Sequence, residues 1–244
     1  MIEVLAPAKL TLMLRVTGVR ADGYHEIDAE MASLDLADVL TIDPDGTGIT
    51  VSGPYAAGVP TDETNLVARA LRLAGRTAAV HIDKRIPSGG GLGGGSADAA
   101  AILRWAGFTD GVAASRLGAD IPFCMRGGRA RVRGIGEIVA PGAYERLEVT
   151  LVVPPLHVST PAVYRAWDEL GGPRAAGPND LEPAALAVAP ALRTWRDRIA
   201  ELSGVQPVLA GSGATWFLPG KRDDALASLR GEGVAVVVAR TVPG

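Results

Sequence analysis

Between Pro87 and Ala101 the chain reads Pro-Ser-Gly-Gly-Gly-Leu-Gly-Gly-Gly-Ser-Ala-Asp-Ala-Ala-Ala, with six glycines in the seven positions from Gly89 to Gly95. A regular helix or strand tolerates such a run badly, because each interior glycine costs about 0.5–1 kcal/mol relative to alanine. What the run permits is a set of successive backbone N–H groups turned toward one point, with no Cβ in the way. The flanks say what the turn serves. Upstream, Ala79 to Ile86 alternates apolar and polar residues with a β-branched bias; downstream, Ser96-Ala97-Asp98 opens an Ala-rich run that predicts a helix to about Trp105. Strand, glycine turn and helix N-terminus together make a phosphate cradle, since unpaired N–H groups and the positive end of the helix dipole face one anion. A flexible linker, the other common use of glycine clusters, lacks such ordered brackets. No Lys-Ser/Thr pair follows the last glycine and no repeated strand–helix pattern surrounds it, so neither a P-loop nor a dinucleotide fold is indicated.

The 244 residues, 48% of them hydrophobic, can bury a sizeable core in one large or two modest domains. Cys124 is the single cysteine, which excludes an internal disulfide and fits a small core residue; no metal-ligand spacing surrounds His25, His81 or His157. No leader pattern opens the chain and no apolar run approaches the ~20 residues of a membrane span, so a cytoplasmic protein without a membrane partner is expected. A net charge of −3 offers nucleic acid no overall attraction. Arg126, Arg129, Arg131 and Arg133 do gather locally, but three of them alternate and read as a solvated strand face. Of 24 basic residues only Lys9, Lys84 and Lys221 are lysines. A lysine kept in so arginine-rich a chain suits a confined site beside a phosphoryl group, where a compact charge fits and a planar fork does not.

Along the chain, Ile2 to Val16 predicts strand, broken irregularly at Ala6–Lys9, with a turn at Gly18–Gly23. Val39–Ile42 and Ile49–Val51 predict a hairpin around Pro44-Asp45-Gly46, and Asn65–Ala74 a helix capped by Thr61, Asp62 or Thr64. A second hairpin is expected through Gly127-Gly128 and Gly134–Gly136. After a composition shift near Arg146 come a buried strand at Val149–Val153 and helices at 161–170, 181–187 and 190–202. Strands flank Gly211-Ser212-Gly213, and a helix at Asp223–Arg230 and a strand at Val234–Val238 close an α+β chain. The boundary divides it into domains 1–147 and 148–244.

Pro7-Ala8-Lys9-Leu10, the Pro87–Ala101 loop and Gly211-Ser212-Gly213-Ala214 resemble, in order and approximate spacing, the three motifs of the GHMP kinases. Ala21-Asp22-Gly23-Tyr24-His25, Gly118-Ala119-Asp120-Ile121-Pro122-Phe123, Gly134-Ile135-Gly136-Glu137 and Asn179-Asp180-Leu181-Glu182 narrow the resemblance to members that phosphorylate a cytidine diphosphate-linked polyol on the non-mevalonate route to isoprenoid precursors. It spans nearly the whole chain and is weakest in the C-terminal half. It implies a two-domain α+β fold: an N-terminal domain carrying the glycine loop in a left-handed βαβ crossover, a ferredoxin-like C-terminal domain, and the active site between them. It also implies ATP and Mg²⁺, a small-molecule substrate with no nucleic acid or membrane partner, and a monomer or homodimer.

Residue by residue, the resemblance makes Asp120 the base that takes the proton of the substrate's 2-hydroxyl, and Lys9 the cation that keeps Asp120 ionised and stabilises the reacting oxygen. Gly89, Gly90, Gly91, Leu92, Gly93, Gly94, Gly95 and Ser96 would hold the triphosphate, with Ser96 also near Mg²⁺, and Asn65 and Lys84 would lie near the nucleotide. Tyr24, His25 and Tyr164 would hold the cytidine end as an aromatic clamp. Thr11, Gly211, Ser212 and Gly213 would complete the substrate side. Local sequence alone offers plainer readings: Asp120 as a helix cap with Pro122 in the first turn, Lys9 as a solvated strand-end lysine, Tyr24 as a turn aromatic, Tyr164 as a helix-face core residue. Two features depart from the family. Thr11 stands where asparagine is usual, and only Gly107–Leu117 remains of a longer helical excursion. They leave open a kinase for another small alcohol, or a non-catalytic nucleotide-binding relative.

Overall fold

The computed structural model describes residues 1–244. Strands β1 (Ile2–Val19) and β2 (His25–Asp43) form a long antiparallel hairpin, closed where the Gly23 N–H donates to the Arg20 carbonyl with Gly23 at φ 83°. The expected break in β1 is a register shift between Pro7 and Lys9 inside one continuous strand. It suspends the usual alternation, so that Ala8, Lys9 and Leu10 are all buried.

The other edge of β2 is shared. Val39–Asp43 pairs with β4 (Ala79–Asp83), and Ile27–Ala32 pairs with β5 (Arg129–Gly134). Beyond β4 lies β3 (Gly48–Ser52), parallel to it; beyond β5 lies β6 (Ile138–Pro141), antiparallel. The hairpin expected between 39–42 and 49–51 is therefore absent, because β4 sits between those segments. Val80 and Ile82 of β4 are fully apolar on their inner face and buried, whereas Ile49 and Val51 are only partly covered, so β4 takes the interior place and β3 the edge.

Helix α1 (Leu66–Leu73) makes the crossover from β3 to β4. Its cap is Asn65 itself, whose Oδ1 accepts from the Val67 N–H at 2.8 Å; Asp62, a predicted cap, instead closes a turn onto Thr64. Helix α2 (Gly94–Trp105) starts two residues before Ser96, because Gly93 at φ 71° turns the chain into the helix without a side-chain cap. Short helices α3 (Gly111–Ser115) and α4 (Ile121–Arg126) follow. Arg129, Arg131 and Arg133 form the expected charged face on β5, paired with Glu30, Glu145 and Asp28. Cys124 is buried, which pushes its thiol up to about 12.

Between Pro141 and Glu148 the chain passes to a second sheet. Strands β7 (Glu148–Val153), β8 (Val208–Leu209), β9 (Trp216–Pro219) and β10 (Ala235–Arg240) pair antiparallel in the order β10-β7-β9-β8. Helices α5 (Thr160–Glu169), α6 (Glu182–Val188) and α7 (Ala191–Ser203) connect β7 to β8. A 3₁₀ segment at Ala227–Glu232 connects β9 to β10, in place of the predicted helix over 223–230. Leu226 and Leu229, the buried pair there, are three apart and stack on a three-residue turn. The path is the split β-α-β ferredoxin-like order.

A small apolar core lies between the two sheets, and it joins the three sequence motifs. Ala8 and Leu10 enter it from either side of Lys9, Ile86 and Leu92 from the glycine loop, Leu151 and Val153 from β7, and Ala210 from just before Gly211. No helix is long and apolar enough to cross a membrane.

Candidate active site

The glycine loop is held by its one large side chain. Leu92 is 1% exposed and its side chain plugs the core between the sheets, leaving its backbone on the cleft. Its carbonyl accepts the Lys9 N–H at 3.0 Å, and the Gly90 carbonyl accepts the Thr215 N–H at 3.2 Å. Side chains here would collide: a Cβ on Gly93 would stand 2.7 Å from Lys9 Cγ, and one on Gly91 2.7 Å from the Gly213 carbonyl oxygen. The glycines thus let three motifs meet backbone to backbone. What remains open is a cleft of about 260 Å³ lined by the Gly89–Gly95 backbone together with Asn65, Lys84 and Asp98.

Lys84 and Asn65 border this cleft, as expected, but both are already engaged. The Lys84 ammonium donates to Asp98 Oδ2 at 2.7 Å and to Asp38 Oδ2, while Asp38 Oδ1 accepts the N–H groups of Arg85 and Ile86 at 2.6 and 2.8 Å. Asn65 spends its carbonyl on the α1 cap and its amide on the Pro60 carbonyl. Burial pushes the Asp98 carboxyl up to about 7 against the pull of Lys84. Burial alone would lower Lys84, but Asp98 and Asp38 outweigh it and raise the ammonium. Lys84 thus joins Asp98 of α2 to Asp38 of β2 at the wall of the cleft. Asp38 and Asp98 carried no sequence signal, since they meet Lys84 only through the fold.

On the far side of Gly93, Lys9 Nζ lies 3.1 Å from Asp120 Oδ2 and donates to Thr11 Oγ1 at 3.2 Å. Lys9 is buried, not solvated at a strand end. Asp120 stands at the N-cap position of α4, with Pro122 in the first turn, but its side chain makes no capping bond and turns to Lys9 instead. Ser96, in the first turn of α2, faces the segment leading to Asp120, since a Cβ on Gly118 would lie 3.6 Å from Ser96 Oγ. A Cβ on Gly211 would lie 3.7 Å from Thr11 Oγ1 and 3.8 Å from Lys9 Nζ, which sets the third motif beside the pair. Asn179 holds that motif through Nδ2, donating to the Leu209 and Gly211 carbonyls at 2.9 and 2.7 Å, and Ser212 Oγ shares a 2.7 Å hydrogen bond with Thr160.

His25 and Tyr164 come together, ring centroids 4.7 Å apart and planes tilted by 33°. Trp167 meets the His25 ring edge-on at 5.7 Å, and Asp168 Oδ1 is 2.8 Å from His25 Nε2. Tyr24 is not part of this group: it is 60% exposed and makes no ring contact with the others. Burial, with the Asp120 charge adding to it, pushes the Tyr164 phenol up. Trp167 and Asp168 escaped the sequence reading, although their spacing of three and four from Tyr164 places all three on one helix face.

Residues 65–128 match the GHMP kinases N terminal domain. A Paracoccus denitrificans protein named 4-diphosphocytidyl-2-C-methyl-D-erythritol kinase is 41% identical over 231 residues, covering 87% of this chain and 84% of its own. The chain belongs to that kinase family. A Dinoroseobacter shibae member is also 41% identical, over 241 residues and with 87% and 83% coverage. The crystal structure of a 4-(cytidine 5'-diphospho)-2C-methyl-D-erythritol kinase superposes with a TM-score of 0.79 at 34% identity, covering 99% of this chain and all 100% of the other. An L. major mevalonate kinase, TM-score 0.66 at 15% identity with 100% and 97% coverage, shares the fold. The α+β GHMP kinase fold expected from the motifs is the fold found.

No group of three or more His, Cys, Asp or Glu side chains stands together to hold a metal ion. The segment 107–117 is reduced to a turn and the five-residue α3, yet Asp120 is still delivered to Lys9.

Proposed function

We propose that this chain transfers the γ-phosphoryl group of ATP to the 2-hydroxyl of 4-diphosphocytidyl-2-C-methyl-D-erythritol, releasing ADP and the 2-phosphate. The observation that carries this reading is the 3.1 Å Lys9–Asp120 pair, packed against Gly93 of the phosphate cradle on one side and within electrostatic reach of Tyr164 on the other. Phosphoryl transfer asks a protein for alignment, a proton acceptor and neutralisation of charge. Asp120 accepts the hydroxyl proton as the oxygen attacks. Lys9 has three N–H donors. Asp120 and Thr11 take two, and the third is left for the reacting oxygen or the transferred group.

Loop N–H groups from Gly89 to Gly95 and the α2 N-terminus bind the triphosphate, and the Asn65, Lys84 and Asp98 side of the cleft borders the rest of the nucleotide. Mg²⁺ brought with ATP would neutralise phosphate charge, and Ser96 Oγ, in the first turn of α2, would be a protein oxygen able to hold it. The His25–Tyr164 pair receives the cytosine, and Asp168 orients the imidazole. Residues 1–147 and 148–244 are the two domains that meet at this site. The reaction belongs in the cytoplasm, on a monomer or homodimer.

Thr11 favours a second reading, a GHMP kinase for another small alcohol, because its hydroxyl is already bonded to Lys9 and is shorter than the family's usual amide. A coupled ADP-release assay with Mg²⁺-ATP and the cytidylyl substrate, homoserine, mevalonate or galactose separates the two. Turnover confined to the cytidylyl compound supports the first reading. Turnover of another alcohol alone supports the second, and no turnover with any of them points to a non-catalytic relative.

A further inference from the structure

Thr215 lies just beyond the third motif, one residue before β9, and was not among the residues any motif assigned. Its backbone is fully used: the N–H donates to the Gly90 carbonyl at 3.2 Å, and the carbonyl accepts the Ala210 N–H at 2.9 Å. Its side chain is not. Thr215 is 0% exposed and Oγ1 has no hydrogen-bond partner. Such a hydroxyl is costly to bury, and valine would fill the same space without a polar atom to satisfy. The hydroxyl lies against the glycine loop, where a Cβ on Gly90 would stand 2.6 Å from Oγ1 and 2.9 Å from Val153 Cγ1.

The planarity of the peptide unit supplies the missing partner. When a loop N–H turns inward to a phosphate, the carbonyl of the same peptide points outward. For the Gly90–Gly91 peptide, outward is the side on which Thr215 sits, and the Gly90 carbonyl keeps a second lone pair beyond the one used by the Thr215 N–H. Gly90 and Gly91 flank this peptide, Gly91 at φ 74°, so no Cβ restrains it and the Thr215 N–H is its backbone hold.

We propose that Thr215 is a positioning residue of the ATP site, its hydroxyl locking the Gly90–Gly91 peptide in the orientation a bound triphosphate requires. The inference rests on the ATP reading above. It gives the C-terminal sheet a direct hold on the N-terminal phosphate loop.

The test compares Thr215→Val, of equal shape but without the hydroxyl, with Thr215→Ser, which restores it. Isothermal titration calorimetry gives the Kd for Mg²⁺-ATP, thermal unfolding the ligand-free Tm, and steady-state kinetics the separate KM and kcat. In Thr215→Val the ligand-free Tm should equal or exceed that of the unaltered protein, while ATP binding weakens about threefold to tenfold, the worth of one hydrogen bond. KM for ATP should rise with kcat and the acceptor KM unchanged, and Thr215→Ser should return the Kd toward the original. Thr215→Ala repeats the loss of the hydroxyl should the valine variant fold poorly. Unchanged ATP affinity in the hydroxyl-free variants overturns the proposal, as does weakened affinity that serine fails to restore. Failure of the unaltered protein to bind ATP at all refutes the ATP reading itself.

Discussion

The Lys9 N–H donates to the Leu92 carbonyl at 3.0 Å, so the lysine paired with Asp120 is tied to the glycine loop through the backbone. The apolar neighbours of both residues, Ala8, Leu10 and the Leu92 side chain, share the core between the sheets. Anchorage and chemistry are therefore coupled.

Leu92→Ala tests the coupling. Emptying a site that is 1% exposed should cost about 2–5 kcal/mol of stability. Urea unfolding should show a lower midpoint with an unchanged slope, and KM for ATP should rise because the loop loses its anchor. A variant as stable as the original would mean that the loop is held elsewhere.

The carboxyl of Asp98 sets a pH dependence. Burial lifts it from 3.8 to about 7, so the folded protein holds its proton more tightly than the unfolded chain. A group shifted upward in this way adds stability that is complete below its unfolded value and is lost as pH climbs through its folded value. Asp98→Asn keeps the shape and removes the titration. The Tm of Asp98→Asn minus that of the unaltered protein should thus increase from about pH 5 to about pH 8. A difference that stays flat across that range contradicts the shift.

Asp168 should matter to one substrate only. Its carboxylate orients the His25 ring, 2.8 Å away, against Tyr164. In Asp168→Asn we expect KM for the cytidylyl substrate to rise about threefold to tenfold, as for weakening of one solvent-accessible hydrogen bond, with KM for ATP unaltered. Equal changes in both constants would place Asp168 in the general scaffold.

The glycine loop between strand and helix was legible in the sequence because its information is local: glycine freedom, a strand before it and a helix after it. That Lys9 and Asp120 meet was legible only through the resemblance, since local sequence reads Asp120 as a cap, and it stands in the cap position with its carboxylate turned to Lys9. The pairing of β4 between β2 and β3 was not legible, because short alternating segments around Pro44-Asp45-Gly46 suit a hairpin until a competing apolar strand is brought in from beyond α1. The ring of Asp38, Asp98 and Lys84 was invisible for a related reason: long-range charge pairs leave no periodicity. Tyr24 was placed in the aromatic clamp by its motif, whereas the packed partners of His25 come from the face of α5.

Asp120→Asn tests the central claim most directly, through kcat in the coupled assay and ATP affinity by calorimetry on the same sample. The carboxamide keeps the shape beside Lys9 and cannot take a proton. Turnover should fall by about 10²–10⁴-fold, the usual worth of a general base, while the Kd for Mg²⁺-ATP stays within about twofold because the glycine loop is untouched. Turnover close to that of the unaltered protein would contradict the account, since the proton would then be leaving by a route that does not involve Asp120.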